Sequence, residues 1–303
     1  MSAVAVRPRL GFLGVGWIGR NRLEAIERAG VAEVAGVSDP ALDRSDDLGA
    51  LDLDGLVIAT PSALHAAQAI EALESGLAVF CQKPLARTAE EARAVVAAAR
   101  AADRLLGVDL SYRHVRAFAA ARELVRSGEL GEIVAAELVF HNAYGPDKPW
   151  FYDRELSGGG CLIDLGIHLV DLAVWTLGPL GVADCRLVGA PVEHFASARL
   201  GPATLSCSWR LHAGADAVIG ARFFGTGGGV EVTNVDGSFY DFRCSRLDGT
   251  SRVALVEPPD DWMGRAAVEW ATRLARGDGF DPIAAAELVR VHELLDALYA
   301  EAG

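Results

Sequence analysis

The strongest constraint on the chain is a glycine pattern near its start. Gly14-Val15-Gly16-Trp17-Ile18-Gly19 follows the short apolar run 9–13 and opens a helical run, 18–29. In that setting a GxGxxG spacing has a physical meaning. The first glycine makes the tight turn and the second lets the backbone approach a pyrophosphate. The third lets helix pack on strand, and the helix N-terminus faces the negative charge. Asp39 closes the next apolar run, 20 residues after Gly19. A carboxylate there can accept from both ribose hydroxyls of an adenosine and repels a 2′-phosphate, which favours NAD. Arg44 is close enough in sequence to bind that phosphate, so NADP stays open. The candidate cofactor residues are Gly14, Gly16, Trp17, Ile18, Gly19 and Asp39. A glycine turn in an α/β protein, with a surface acid, is the competing reading.

Strand and helix patterns alternate onwards: strands at 32–38, 55–59, 77–81 and 105–109, helices at 62–75 and 89–102. Such alternation predicts parallel βαβ units in an open, doubly wound sheet. Thr88 and Glu91 predict a reciprocal capping box for the second helix. Sixteen residues separate Asp39 from Leu56, where a crossover takes about a dozen. The helix there should be short or absent, and the adenine side open.

After residue 111 the rhythm changes. A helix is expected at 114–127, a strand at 132–141, an aromatic loop at 142–160 and a helix at 161–177. Strand-like segments then follow one another from 183 to 256, which predicts an antiparallel meander, and helices at 262–276 and 283–299 close the chain. The expected fold class is α/β. Residues 1–111 form a Rossmann dinucleotide-binding domain with a parallel sheet. Residues 112–303 form an α+β domain for substrate and oligomer contacts, with a large, mostly antiparallel, open-faced sheet. A length of 303 residues fits two domains.

Charge and cysteine usage exclude several classes. With 41 acids against 28 bases, net −13, no nucleic-acid partner is expected. The 5 cysteines, at 81, 161, 185, 207 and 244, are irregularly spaced and predict reduced thiols, with no zinc site or disulfide frame. The start lacks an apolar signal core, and no uncharged run reaches the roughly 20 residues a bilayer needs. A cytoplasmic protein without a membrane partner is expected.

Of the 28 bases only Lys83 and Lys148 are lysine; the rest are arginine. Lys83 lies in Cys81-Gln82-Lys83-Pro84, at the carboxyl end of a predicted strand, where residues of such sheets face the ligand crevice. Pro84 cannot continue the ladder and sharpens the exit. A partly dry amine beside a nicotinamide cation can give or take a proton near neutrality, which arginine cannot. An ordinary surface lysine is the other reading. Lys148, in a polar loop, is equally a surface or a substrate-rim residue.

Gly158–Asp171 is the richest stretch. Asp164, His168 and Asp171 are spaced four and three apart, on one helical face among Leu, Ile and Val. A half-buried polar stripe needs partners. An aspartate four residues before a histidine can orient the imidazole or share its work on a hydroxyl. A structural Asp–His pair and a metal site are alternatives, although no convincing third ligand is visible and no metal is expected.

Together these pieces resemble the Gfo/Idh/MocA family, the glucose–fructose oxidoreductase and inositol dehydrogenase relatives, over nearly the whole chain. Thr60-Pro61 followed by His65 is similar to the family's TPxxxH segment. Cys81–Pro84 resembles its CEKP, Tyr112-Arg113 its aromatic-Arg strand end, and Gly158–Asp171 its GGGxxxDxGxHxxD. The resemblance implies Thr60, Pro61, His65 and Gln82 at the cofactor, and Tyr112 and Arg113 at the substrate. It implies Lys83, Asp164 and His168 as the catalytic set. Gln82 stands where the family keeps Glu, which removes a negative charge beside the lysine and favours the neutral amine.

The expected activity is hydride transfer between NAD, or NADP, and a carbinol or ketone carbon of a sugar, cyclitol or related polyol. Tyr144, Trp150 and Tyr152 could stack on a sugar ring or simply pack the loop. Alternatives are a non-redox sugar lyase or glycosidase that uses NAD transiently, and a non-catalytic dinucleotide or sugar sensor. A bare sheet face predicts a homodimer or homotetramer.

Overall fold

The structure, a computed structural model, describes residues 7–42 and 45–302. Arg44, the candidate phosphate ligand, lies outside the described residues. Two compact units emerge: the chain up to Ser111 with Met263–Val289, and Tyr112–Trp262 with the chain from Arg290 on. The expected second domain, 112–303, is therefore not one span, because the chain returns to the first unit for 263–289.

The first unit is a five-stranded sheet in the order β2-β1-β3-β4-β5. Its strands are β1 (Arg9–Leu13), β2 (Glu33–Ser38), β3 (Gly55–Ile58), β4 (Ala78–Cys81) and β5 (Leu106–Val108). Every pairing is parallel, as the alternating pattern predicts. Helix α1 (Trp17–Ala29) packs on one face; α2 (Ser62–Glu74) and α3 (Ala89–Ala102) cover the other. The face under α1 is completed by the later helix Arg265–Ala275, whose Trp270 fills the space left by Gly107. A Cβ on Gly107 would stand 2.7 Å from the indole of Trp270. Among the described residues between β2 and β3 the helical structure is limited to a three-residue 3-10 turn, Leu48–Ala50, as the short gap predicts.

At the start of α3 the expected capping box is half formed. Thr88 Oγ1 accepts from Glu91 N at 3.2 Å, but the Glu91 carboxylate accepts from Arg87 N and its guanidinium, not from Thr88 N. An arginine one residue upstream offers that carboxylate a charged partner.

The second unit starts with α4 (Arg116–Arg126), β6 (Ile133–Asn142), α5 (Arg154–Ser157) and α6 (Ile167–Leu177). Seven strands follow: β7 (Val182–Val188), β8 (Phe195–Leu200), β9 (Ala203–Ser208), β10 (Ala217–Gly225), β11 (Gly228–Asn234), β12 (Phe242–Asp248) and β13 (Ser251–Val256). They join β6 in an eight-stranded sheet, β13-β12-β11-β10-β6-β9-β8-β7. The run is thus not one uninterrupted meander. Strand β6 sits between β10 and β9, and it pairs in parallel with β9. Helices α4 and α6 pack on one face. The other face presents polar groups; there Arg222 and Arg252 both donate to the buried Glu231.

Arg154–Leu177 is apolar and long enough by composition to cross a bilayer, yet 83% of its most apolar window is buried. It is the central helical segment of the second unit. Helices α7 (Arg265–Ala275) and α8 (Pro282–Ala302) end the chain.

Candidate functional site

The strand order of the first sheet reverses between β1 and β3, and ligands of such sheets bind outside the carboxyl ends at that point. Both flanking loops carry predicted residues. Gly14 has φ +83°, and a Cβ there would stand 2.6 Å from Ala59 O. A Cβ on Gly19 would stand 2.3 Å from Gly14 O, so only glycine lets α1 start this close to β1 and β3. Gly16 is the N-cap of α1, Trp17 is 65% exposed beside it, and Ile18 is half-buried. Asp39 follows β2; its Oδ2 accepts from Val15 N at 2.7 Å, and its Oδ1 from Ala41 N at 2.8 Å. The acid at the ribose position therefore also shapes the glycine loop.

Thr60 and Pro61 leave β3 into α2. Thr60 Oγ1 donates to Gln68 Oε1 at 2.6 Å, and Pro61 is the helix N-cap. His65 is 1% exposed, and its ring nitrogens lie 2.7 Å from Pro84 O and 2.7 Å from Thr60 O. Burial lowers its pKa, and the nearby Lys83 lowers it further, against the two carbonyls, which raise it. This ring holds the exits of β3 and β4 together. Half-buried Lys83 follows β4, and Pro84 follows it through a cis peptide.

Gln82 also points inward. It is 7% exposed, and its Nε2 donates to Asp109 Oδ2. Arg22, from α1, donates to the same oxygen from Nε at 2.5 Å. Neither Arg22 nor Asp109 was legible as a site residue. An arginine in a helix and an acid at a strand end look like surface groups until the fold buries both.

In the second unit, Cys161–Leu177 is not a uniform α-helix. Leu162–Gly166 is a π-helical stretch that runs into α6. Such stretches occur often at functional sites. Glu193, 4% exposed, holds their start: its Oε1 accepts from Gly160 N at 2.8 Å, Leu162 N at 3.0 Å and Tyr299 Oη at 2.8 Å. Gly160 is required there, because a Cβ would lie 2.0 Å from Glu193 O.

The predicted polar stripe is divided among different partners. Asp164 Oδ2 accepts from Trp209 Nε1 at 3.1 Å. Asp171, 1% exposed, is forked by Arg113 through Nε at 3.0 Å and Nη2 at 2.6 Å. Arg113 is thus a brace for α6, and its guanidinium also lies over Trp175, 5.7 Å from the ring centre. His168 lies edge-on to Tyr112, with centroids 4.8 Å apart. Tyr112 is itself surrounded by Phe118, Phe140, Phe242 and Trp262. Burial pushes its hydroxyl pKa up. Tyr112 and Arg113 pack against and brace the helix that bears His168.

Of the loop aromatics, Trp150 stacks on Phe151 at 3.8 Å and Tyr152 Oη donates to Pro146 O at 2.8 Å. Tyr152 also packs against Trp209, centroids 5.5 Å apart. Tyr144 is 52% exposed. Lys148 precedes the 3-10 turn Pro149–Tyr152 and is exposed. Trp209 is the partner of Asp164 that sequence reasoning missed; a tryptophan at a strand end gave no signal. Among the described residues, no cluster of three or more His, Cys, Asp or Glu could hold a metal ion.

Comparison with known proteins accords with this arrangement. Residues 8–110 match the family model described as oxidoreductase family, NAD-binding Rossmann fold, and 118–231 match the GFO/IDH/MocA C-terminal domain. The chain is 31% identical over 182 residues to a 1,5-anhydro-D-fructose reductase of Ensifer adhaerens, covering 54% of each chain. It therefore spans about half the length of that relative. It is 27% identical over 298 residues to inositol 2-dehydrogenase 3 of Saccharopolyspora erythraea, covering 90% of this chain and 82% of the relative. The fold superposes on KijD10, a 3-ketoreductase from Actinomadura kijaniata solved with NADP and TDP-benzene, with TM-score 0.86, 21% identity and 98% of both chains covered. With both of its parts matched, the chain belongs to the Gfo/Idh/MocA oxidoreductase family.

Proposed function

We propose that the protein is an NAD(P)-dependent oxidoreductase acting on a carbinol or ketone carbon of a sugar, cyclitol or related polyol. The glycine loop fits a dinucleotide: backbone crowding excludes a Cβ at Gly14 and Gly19, and Asp39 stands at the end of β2. When bound, the nicotinamide supplies the hydride acceptor or donor. Gly14, Gly16 and Gly19 would carry the pyrophosphate at the start of α1, and Asp39 the adenosine ribose.

In this reading Lys83, Asp164 and His168 do the proton chemistry. His168 takes the hydroxyl proton as the carbinol is oxidised and returns it in reduction. Asp164, held by Trp209, orients the exchange. Lys83 stabilises the developing charge on the same oxygen. The observation that carries the reading is the bracing of each group's surroundings. His65 and Gln82 fix the backbone on either side of Lys83, and Glu193 and Arg113 fix the two ends of the Asp164–His168 segment.

The test is a panel of polyols and ketosugars followed by absorbance with NAD and NADP separately. Lys83→Ala and His168→Ala should each cut turnover at least about a hundredfold with NADH binding kept. Near-normal turnover in both would sink the assignment. Net NADH production separates a dehydrogenase from a lyase that returns its hydride.

A further inference from the structure

We propose that Asp109 is the positioning residue for Lys83, acting through the side-chain amide of Gln82 and anchored to α1 by Arg22. The inference rests on the assignment of Lys83 to the reaction. Asp109 is 1% exposed, Arg22 2% and Gln82 7%. A carboxylate so deep needs donors on both oxygens. Oδ2 accepts from Arg22 Nε and Gln82 Nε2, and Oδ1 accepts from Ser111 Oγ. Arg22 is used in turn: Nη2 donates to Ser111 Oγ at 3.0 Å and Nη1 to Asn21 Oδ1 at 2.7 Å.

These donors come from three segments: α1, the exit of β4, and the turn after β5. The backbone closes the same junction. Gln82 N donates to Ile58 O at 2.8 Å, and Asp109 N to Cys81 O at 2.9 Å. Beyond Lys83, Pro84 O is taken by His65. Lys83 is therefore fixed on both sides, and on one side the clamp ends in a buried ion pair.

The geometry explains why residue 82 is an amide. A carboxylate cannot donate to Asp109 and would place two like charges in one buried site. The negative charge that Gln82 lacks is held across the hydrogen bond, on Asp109. Because α1 begins at the glycine loop, the network also ties the cofactor loop to the lysine segment.

The chain's two lysines make the test direct. Reductive methylation of the full chain with 13C-formaldehyde labels Lys83, Lys148 and the terminal amine, and Lys148→Arg assigns the signals. Gln82→Met keeps the Arg22–Asp109 pair, and with it the fold, while removing the amide. It should displace the Lys83 resonance and leave that of Lys148 in place. Asp109→Asn and Gln82→Glu should each do the same. The exchange Gln82→Glu/Asp109→Asn restores one carboxylate and one amide, and should bring the signal back towards its wild-type position. A Lys83 resonance unmoved in Gln82→Met overturns the proposal, as does an exchange variant that folds yet restores nothing. The spectrum needs no turnover. A failure here is therefore distinct from a failure of Lys83→Ala to lower activity, which would sink the functional reading instead.

Discussion

The indole nitrogen of Trp209 donates to Oδ2 of Asp164 at 3.1 Å, across from the residue that follows β9 to the π-helical start of the α6 segment. Trp209 is 1% exposed, and Tyr152 packs against its ring. The bond fixes one carboxylate oxygen of the group that our reading assigns to the proton chemistry. Trp209→Phe keeps most of the packing and deletes the donor. Turnover should fall about tenfold, matching about 1.4 kcal/mol for a bond to a charged acceptor, with NADH affinity unchanged. Steady-state kinetics beside NADH fluorescence titration measures both.

Glu193 satisfies two backbone N–H groups and one hydroxyl with a single oxygen. Glu193→Ala strands all three donors and should cost about 3 kcal/mol, whereas Glu193→Gln keeps a neutral acceptor and should cost about 1 kcal/mol. Urea unfolding followed by circular dichroism gives the ranking. Equal losses in the two variants would show that a neutral acceptor preserves none of the stabilisation, and would overturn the expected ranking.

Asp39 has two tasks, one in the loop through Val15 N and one, in our reading, at the ribose. Asp39→Asn preserves the size but weakens a charge-assisted acceptor. NADH affinity should fall about tenfold, with a smaller change for NADPH, because the repulsion of a 2′-phosphate is relieved. Parallel fluorescence titrations with the two reduced cofactors report the ratio.

Stability should be bounded on both sides of neutrality. Burial holds the imidazole pKa of His65 and of His141 below its ordinary value of 6.5. The unfolded chain therefore binds more protons as pH falls below 6.5, and stability is lost in acid. Burial pushes the Cys185 thiol up to about 11 and the Cys244 thiol up to about 12. It also pushes the hydroxyls of Tyr112 and Tyr299 upward. These groups keep their protons in the folded chain while the unfolded chain loses them from about pH 9 upward, so stability falls there too. Melting temperatures across pH 5–11 should show a plateau near 7–9. All five cysteines are buried, and they should react with a disulfide reagent only on unfolding.

Much of the first unit is legible in the sequence because its signals are local. Glycine at 14 and 19, an acid at 39, the sixteen-residue gap before Leu56 and a Lys-Pro strand exit each act within a few residues of chain. The motif over Gly158–Asp171 is local in the same way, and it marks the segment correctly as a helix with its acids and histidine. What is missing there is the partner list. Trp209, Glu193, Arg22 and Asp109 are separated in sequence from the groups they hold by 45, 31, 87 and 27 residues in their respective bonds. No spacing rule reaches that far.

The sequence by itself determined the alternation of strand and helix, the glycine-loop chemistry, the nearly lysine-free composition and the positions of Lys83, Asp164 and His168. Tertiary structure alone decided which polar groups are buried together. It set His65, Arg113 and Tyr112 into bracing contacts that no local pattern shows, and it inserted β6 between β10 and β9. The physical reason is that local pattern fixes backbone form, whereas a buried polar group must find its partner wherever the fold brings one. Gln82 shows the division: its amide reads as a lost charge along the chain, and as a donor to Asp109 in space.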